Sequence, residues 1–129
     1  MRTTLISLGT VILFLIHLSA AVAGDFDWVR NFNDMAKSDP AEFEARLASR
    51  FQTGDTQIKA VMSEVPKASD AYIVFRLGEI SKQPMDRVMA EYKFCKRKGW
   101  GAMAKRLRIN PGSKEFQALK NGQDLLDRD

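Results

Sequence analysis

Ser69-Asp70-Ala71-Tyr72-Ile73-Val74-Phe75-Arg76-Leu77-Gly78-Glu79-Ile80 is the stretch on which the fold class turns. Its centre, Ala71 to Phe75, has the β-branched and aromatic composition of a strand. Several features oppose that assignment. Ser69 and Asp70 are residue types that cap a helix start. Ile73, Leu77 and Ile80 recur at helical spacing, and the apolar run continues without the strict alternation of a half-buried strand. A strand also needs a partner, and no second strand-like run occurs elsewhere. The stretch is therefore predicted to be a buried helix, and the protein all-α.

Upstream, Ile58, Val61, Met62 and Val65 follow the i, i+3, i+4, i+7 pattern, and Pro66 stops that helix. Thr53-Gly54-Asp55 separates it from an earlier helix with Phe43, Leu47 and Phe51 on one face. Asp39-Pro40 marks its start, with Asp as the cap and Pro at the first helical position. Before that, Asp25 to Lys37 carries Trp28, Phe32 and Met35 at helical spacing, beside Val29 and Ala36. Downstream, Pro84 opens a helix with the apolar stripe Met85, Val88, Met89, Tyr92 and Cys95. Lys96, Arg97 and Lys98 load its last turn, where positive charge opposes the helix dipole, and Gly99 ends it. Trp100 to Leu107 reads as a short helix and Asn110-Pro111-Gly112 as a turn. Ser113 caps a last helix through about Lys120. The expectation is one small domain over residues 24–122, built of five to seven short helices, with residues 123–129 a frayed tail.

The N-terminus reads as an export signal. Arg2 precedes an uncharged stretch whose most apolar part is Val11 to Ile16, and small residues follow, ending Ala21-Val22-Ala23. Alanine at −3 and −1 fits cleavage after Ala23. The alternative is an uncleaved anchor, since about 20 apolar residues span a bilayer. The strongly apolar run is short, however, and Thr, Ser, Gly and His17 interrupt the remainder. Localisation is expected to be periplasmic or secreted, with no transmembrane helix after cleavage.

Without residues 1–23, the remaining 106 residues carry 19 Lys and Arg against 16 Asp and Glu, a formal charge of +3. A chain of this length suits a single modest core. The single cysteine, Cys95, cannot form an internal disulfide. On its apolar stripe it is expected to be a buried, inert thiol, or an intermolecular disulfide if the stripe faces another subunit. The single histidine, His17, lies in the leader, so the mature chain has no imidazole for acid–base work or metal binding. No cofactor is expected, and the fold is expected to rest on its core alone.

Gly99-Trp100-Gly101-Ala102-Met103-Ala104-Lys105-Arg106-Leu107 and Pro111-Gly112-Ser113-Lys114-Glu115-Phe116 resemble a group of small exported bacterial proteins of unknown function. These carry a Gly-Trp-Gly helix, a Leu-Gly-Ile turn and a Pro-Gly-Ser-x-x-Phe helix start. The stretch from Asp70 to Pro84 is similar as well, and the likeness covers roughly residues 55–122. It implies a helical exported protein and transfers no catalytic residue. Arg108 stands where the resemblance leads one to expect Gly, which implies a tighter or more strained turn.

Charge is distributed unevenly. Lys93, Lys96, Arg97, Lys98, Lys105, Arg106, Arg108 and Lys114 fall in one stretch without an acidic residue, so the rest of the mature chain carries −5 against this +8. Such a segment would attract anionic lipid, lipopolysaccharide or cell-wall polymer. It would equally arise if three of its charges complement a helix end and the others solubilise exposed faces. Trp100, between Gly99 and Gly101, is expected to be a structural anchor where two helices meet.

The favoured expectation is a non-enzymatic exported protein contacting an anionic envelope component. The alternative is an accessory subunit docking on a protein partner. A helix-turn-helix outline at 100–120 would present Lys114, Gln117 and Lys120 to DNA and bury Phe116 and Leu119, but an export signal opposes a nucleic-acid role. A carboxylate-dependent hydrolase would need acids converging from distant positions. The near-neighbour pairs Asp25/Asp27 and Glu42/Glu44 lie near helix starts, and Asp127/Asp129 in the tail. No nucleophile elbow, phosphate-cradling loop or Cys/His metal spacing is present in the sequence.

The leader makes a direct prediction. The intact mass of protein recovered from envelope or medium is expected to match a chain beginning at Gly24, and a chain still beginning near Met1 would mean that the segment is kept as an anchor.

Overall fold

A computed structural model describes residues 25–126. The expected leader with its expected cleavage after Ala23, and the Asp127/Asp129 pair, lie outside these residues. Over the described residues the protein is all-α and a single small domain, as the apolar spacing predicts. Its helices are α1 (Val29–Ser38), α2 (Pro40–Phe51), α3 (Asp55–Glu64), α4 (Ala68–Ser81), α5 (Met85–Cys95), α6 (Trp100–Arg106) and α7 (Lys114–Asn121). None of them is long and apolar enough to cross a membrane.

The disputed stretch is α4, and it is the centre of the molecule. Ala71 to Phe75, Leu77 and Gly78 are all buried, which is why its apolar residues keep no strict period. It packs against α1, α3, α5 and α7. Its start differs from the sequence expectation. The helix begins at Ala68, and Ser69 and Asp70 lie within its first turn. The cap comes from another helix: Asn33 Oδ1 on α1 accepts from the Ser69 N–H at 2.8 Å, satisfying a donor that a helix start leaves open.

Local punctuation elsewhere acts as read. Asp39 Oδ1 accepts from the Glu42 N–H at 3.1 Å, with Pro40 in the first helical position. Ser113 Oγ accepts from the Phe116 N–H at 3.3 Å and starts α7. Gly99, at φ 86°, separates α5 from α6. After α6 the Arg108 N–H reaches the Lys105 carbonyl at 3.0 Å and the Ile109 N–H the Ala104 carbonyl at 2.8 Å. This is the helix-ending motif that favours a left-handed residue, usually glycine, and Arg108 occupies it at φ 61°. Gln52 and Lys82 follow α2 and α4 in the same backbone region.

Residues 25–28 form a turn ahead of α1 rather than its first turn, and they close the molecule on itself. Phe26 has φ 61°, and its N–H donates to the Lys120 carbonyl at 2.8 Å. Trp28 Nε1 donates to the Leu119 carbonyl at 2.9 Å. Both bonds occupy carbonyls at the end of α7 that lack helical partners. The Trp28 ring meets Phe32 and Tyr72 edge-on at 5.3 and 5.5 Å, a favoured aromatic geometry.

Residues 123–126, expected to fray, pack instead. Leu125 is buried. Tyr72, only 1 % exposed, donates its hydroxyl to Asp124 Oδ1 at 2.8 Å, and the same hydroxyl accepts from the Asp124 N–H at 3.1 Å. A hydroxyl buried without a partner would cost about 1–3 kcal/mol, so the tail is held by what α4 buries. Arg50 joins Asp124 at 3.0 Å to Glu79 at 2.7 Å. Burial pushes the Asp124 carboxyl up, but hydrogen bonds from Arg50 and Tyr72 outweigh it, and the group ends below its usual range. The Arg50 hydrogen bond holds Glu79 below its usual range as well.

Both acids are depressed in the folded state, so their contribution is present above the unfolded values of about 4 and is lost as pH falls through the folded ones. The melting temperature is therefore expected to drop on acidification below about pH 5. Arg50→Gln should flatten that drop, and an unchanged acid profile would show that the Arg50 cluster contributes no stability.

Candidate functional site

The site follows from the reversal at Gly99. Because α6 returns beside α5, residues far apart in sequence meet on one outer face. Trp100 stacks on Tyr92 with ring centres 5.9 Å apart. Arg106 reaches back to the carboxylate of Glu91, a buried acid whose side chain is 6 % exposed, and Arg87 pairs with the same carboxylate at 3.0 Å. The Arg106 hydrogen bond holds Glu91 below the usual carboxylate range against the opposing effect of its burial, with the charge of Arg87 adding to it.

Phe94 lies against Arg106. It is the large hydrophobic side chain that stays exposed among the described residues, at 55 %. Its neighbours Tyr92 and Cys95 point into the core, which leaves its ring outside. The Lys98 ammonium lies 4.3 Å from the ring centre and the Arg106 guanidinium 4.0 Å, both within cation–π range. Thus Lys98, which follows α5, and Arg106, which ends α6, share one surface.

The eight basic residues singled out by charge do not all play the same part. Lys93 pairs with Glu64 at 2.9 Å, and Arg106 is engaged by Glu91. Lys96 sits 6.0 Å over the Tyr92 ring. Arg97 and Lys105 are exposed, and among the described residues Lys96, Arg97, Lys98 and Lys105 have no carboxylate within salt-bridge distance. Arg108 lines a recess with Arg106. Lys114 is exposed at the start of α7, and no contact among the described residues joins it to this group. Arg87, Glu91 and Phe94 were missed in the sequence. Arg87 precedes the acid-free stretch, Glu91 borders it, and Phe94 resembles any core phenylalanine until the helix is phased.

Trp100 is only partly buried. Together with Asp70, Tyr92, Cys95, Lys96 and Met103 it lines a recess of about 160 Å³. Cys95 itself is buried. Tyr92 donates a long hydrogen bond, 3.5 Å, to Asp70 Oδ2. Burial pushes the Asp70 carboxyl up against the opposing effects of Lys67 and Tyr92, and it pushes the Tyr92 hydroxyl up to about 12. The arrangement places one acid at a small aromatic mouth without a second acid facing it.

Other constellations are dispersed. Asp25 pairs with Lys120 at 3.1 Å and Glu42 with Arg46 at 2.8 Å, so these two acids serve local ion pairs. Among the described residues no group of three or more His, Cys, Asp and Glu is placed to share a metal ion. In the helix-turn-helix outline, Phe116 and Leu119 are buried. Of the three residues it would present, Gln117 donates to the Pro111 carbonyl at 2.8 Å and the Lys120 side chain is 17 % exposed against Asp25. Only Lys114 projects fully.

The two tryptophans are expected to separate on mutation. Trp28→Ala removes the hydrogen bond to the end of α7 and edge-on packing on Phe32 and Tyr72, and should cost about 3–5 kcal/mol. Trp100 is partly buried like Trp28 but stacks on Tyr92 without a comparable hydrogen bond, so Trp100→Ala should cost about 1–3 kcal/mol. Urea denaturation checks the order, and an equal or larger loss at Trp100 would make it the principal anchor. Comparison of the chain with protein-family models, with curated proteins and with solved structures finds no match in any of the three.

Proposed function

We propose that this is an exported, non-catalytic protein that docks on an anionic lipid surface through the face centred on Phe94. The observation that carries the proposal is an exposed phenylalanine held between Lys98 and Arg106, in a stretch whose Lys96, Arg97 and Lys105 are exposed and have no carboxylate within salt-bridge distance among the described residues. An aromatic ring favours the boundary between headgroups and acyl chains, and cations beside it meet lipid phosphates. Each Lys or Arg close to an anionic bilayer contributes about 1 kcal/mol, fading beyond a Debye length. The exposed ring favours a lipid surface over a fully hydrated polymer, which offers it no apolar environment. The accessory-subunit alternative calls for a large exposed apolar area, and Phe94 alone is a small one.

The protein is expected to sediment with vesicles containing phosphatidylglycerol and to leave neutral phosphatidylcholine vesicles unbound. Binding should weaken steeply as salt rises from about 0.1 M towards 1 M, where the Debye length shrinks from about 10 to 3 Å. Replacing Lys96, Arg97, Lys98 and Lys105 by Gln should remove most of it, and Phe94→Ser should weaken it at constant charge. Arg106 is left intact in these variants, because its loss would strand the buried Glu91. Indifference of the wild type to anionic vesicles at low salt would refute the proposal.

A further inference from the structure

Beside the Phe94 face is a recess of about 280 Å³ lined by Gln83, Arg87, Arg106, Leu107 and Arg108. Three separate places in the chain supply its arginines: the first turns of α5, the end of α6 and the left-handed residue that follows α6. Glu91 pairs with Arg87 and Arg106. Arg108 has no carboxylate within salt-bridge distance among the described residues. Three guanidiniums against one carboxylate leave a formal charge of +2 around a single concavity. Like charges gathered in this way repel one another unless an anion joins them. A larger depression shares Gln83, Leu107 and Arg108, but Glu79 and Glu115 also line it, so the smaller recess is the better place for an anion.

We propose that this recess binds a phosphate monoester. At neutral pH that group carries a charge of about −1.5 to −2 and three strong acceptor oxygens, which matches the net charge of the recess. Guanidinium forks suit phosphate oxygens in paired hydrogen bonds, and the Gln83 amide is a further donor. The volume lies just below the range of about 300–1,000 Å³ that encloses small molecules. The recess therefore takes a phosphoryl group and the first atoms of its ester, while the rest of the ligand stays outside. Glu91 acts as a positioning residue that fixes two arginines. The inference rests on the proposed surface role for the claim that the monoester belongs to a membrane lipid, and it stands apart from that role for a soluble monoester.

The test uses glycerol 3-phosphate in calorimetry, and vesicles of phosphatidylcholine doped to equal surface charge with phosphatidic acid, a monoester, or phosphatidylglycerol, a diester. Wild-type protein is expected to bind glycerol 3-phosphate and to prefer phosphatidic acid. Arg87→Gln and Arg108→Gly should each weaken monoester binding roughly tenfold, as expected for loss of a charge-assisted contact. Glycine suits the backbone at position 108, so that variant is expected to stay folded, which circular dichroism checks. Retained vesicle binding with no monoester preference and no glycerol 3-phosphate binding would overturn the recess and leave the surface role intact. Arginine-dependent binding of glycerol 3-phosphate without vesicle binding would uphold the recess and end the surface role. Binding that is unchanged in both variants would also overturn the recess.

Discussion

Burial of α4 on nearly all its sides constrains everything else in this molecule. A helix that is apolar all round needs enclosure, and a chain this short has few residues with which to provide it. α1, α3, α5 and α7 pack against it directly. The enclosure also has a polar requirement, because Tyr72 carries its hydroxyl into the core. That hydroxyl needs Asp124, Asp124 is held by Arg50, and Arg50 is shared with Glu79 on α4 itself. One buried phenol thus links the middle of the chain, its second helix and its last described residues.

The same constraint shapes the outer face of α5 and α6. Their apolar sides are committed to the core, with Val88, Met89, Tyr92, Met103 and Ala104 buried, so their cations gather on the remaining side. Glu91 is the exception that organises them. A buried carboxylate must be paired to be tolerated, and its two arginines approach from opposite directions along the chain. The resulting face has a fixed part, Arg87 and Arg106 on Glu91, and a solvated part in which Lys98 lies over the exposed Phe94 ring.

Much of the fold was legible because local chemistry punctuates it. Asp39-Pro40, Ser113 and Gly99 act where they stand, and apolar spacing identifies the inward faces of α2, α3, α5 and α7. Where local reading failed, a distant group had taken over the local role. Ser69 and Asp70 have the chemistry of a cap, yet Asn33 supplies it from α1. Asp124 and Leu125 follow a glycine in a polar tail, and nothing nearby in sequence reveals Tyr72 as their partner. The charge of the site was legible as a run of basic residues. Its geometry was not, because Glu91 and Arg106 are fifteen residues apart and only the turn at Gly99 brings them together. Arg108 was legible as an unusual residue for its turn, while its convergence with Arg87 depends on how α5 and α6 lie side by side.

The bonds from Phe26 and Trp28 to the end of α7 also impose an order in time. The first described residues cannot be seated until Leu119 and Lys120 exist as the end of a helix, and Tyr72 remains without a partner until Asp124 is made, 52 residues later. A growing chain would therefore leave the side of α4 that α7 covers open to its surroundings until α7 and residues 122–125 arrive. Such intermediates are prone to aggregate. Closure of the core thus waits on residues 119–125, which fasten both the turn ahead of α1 and the middle of α4.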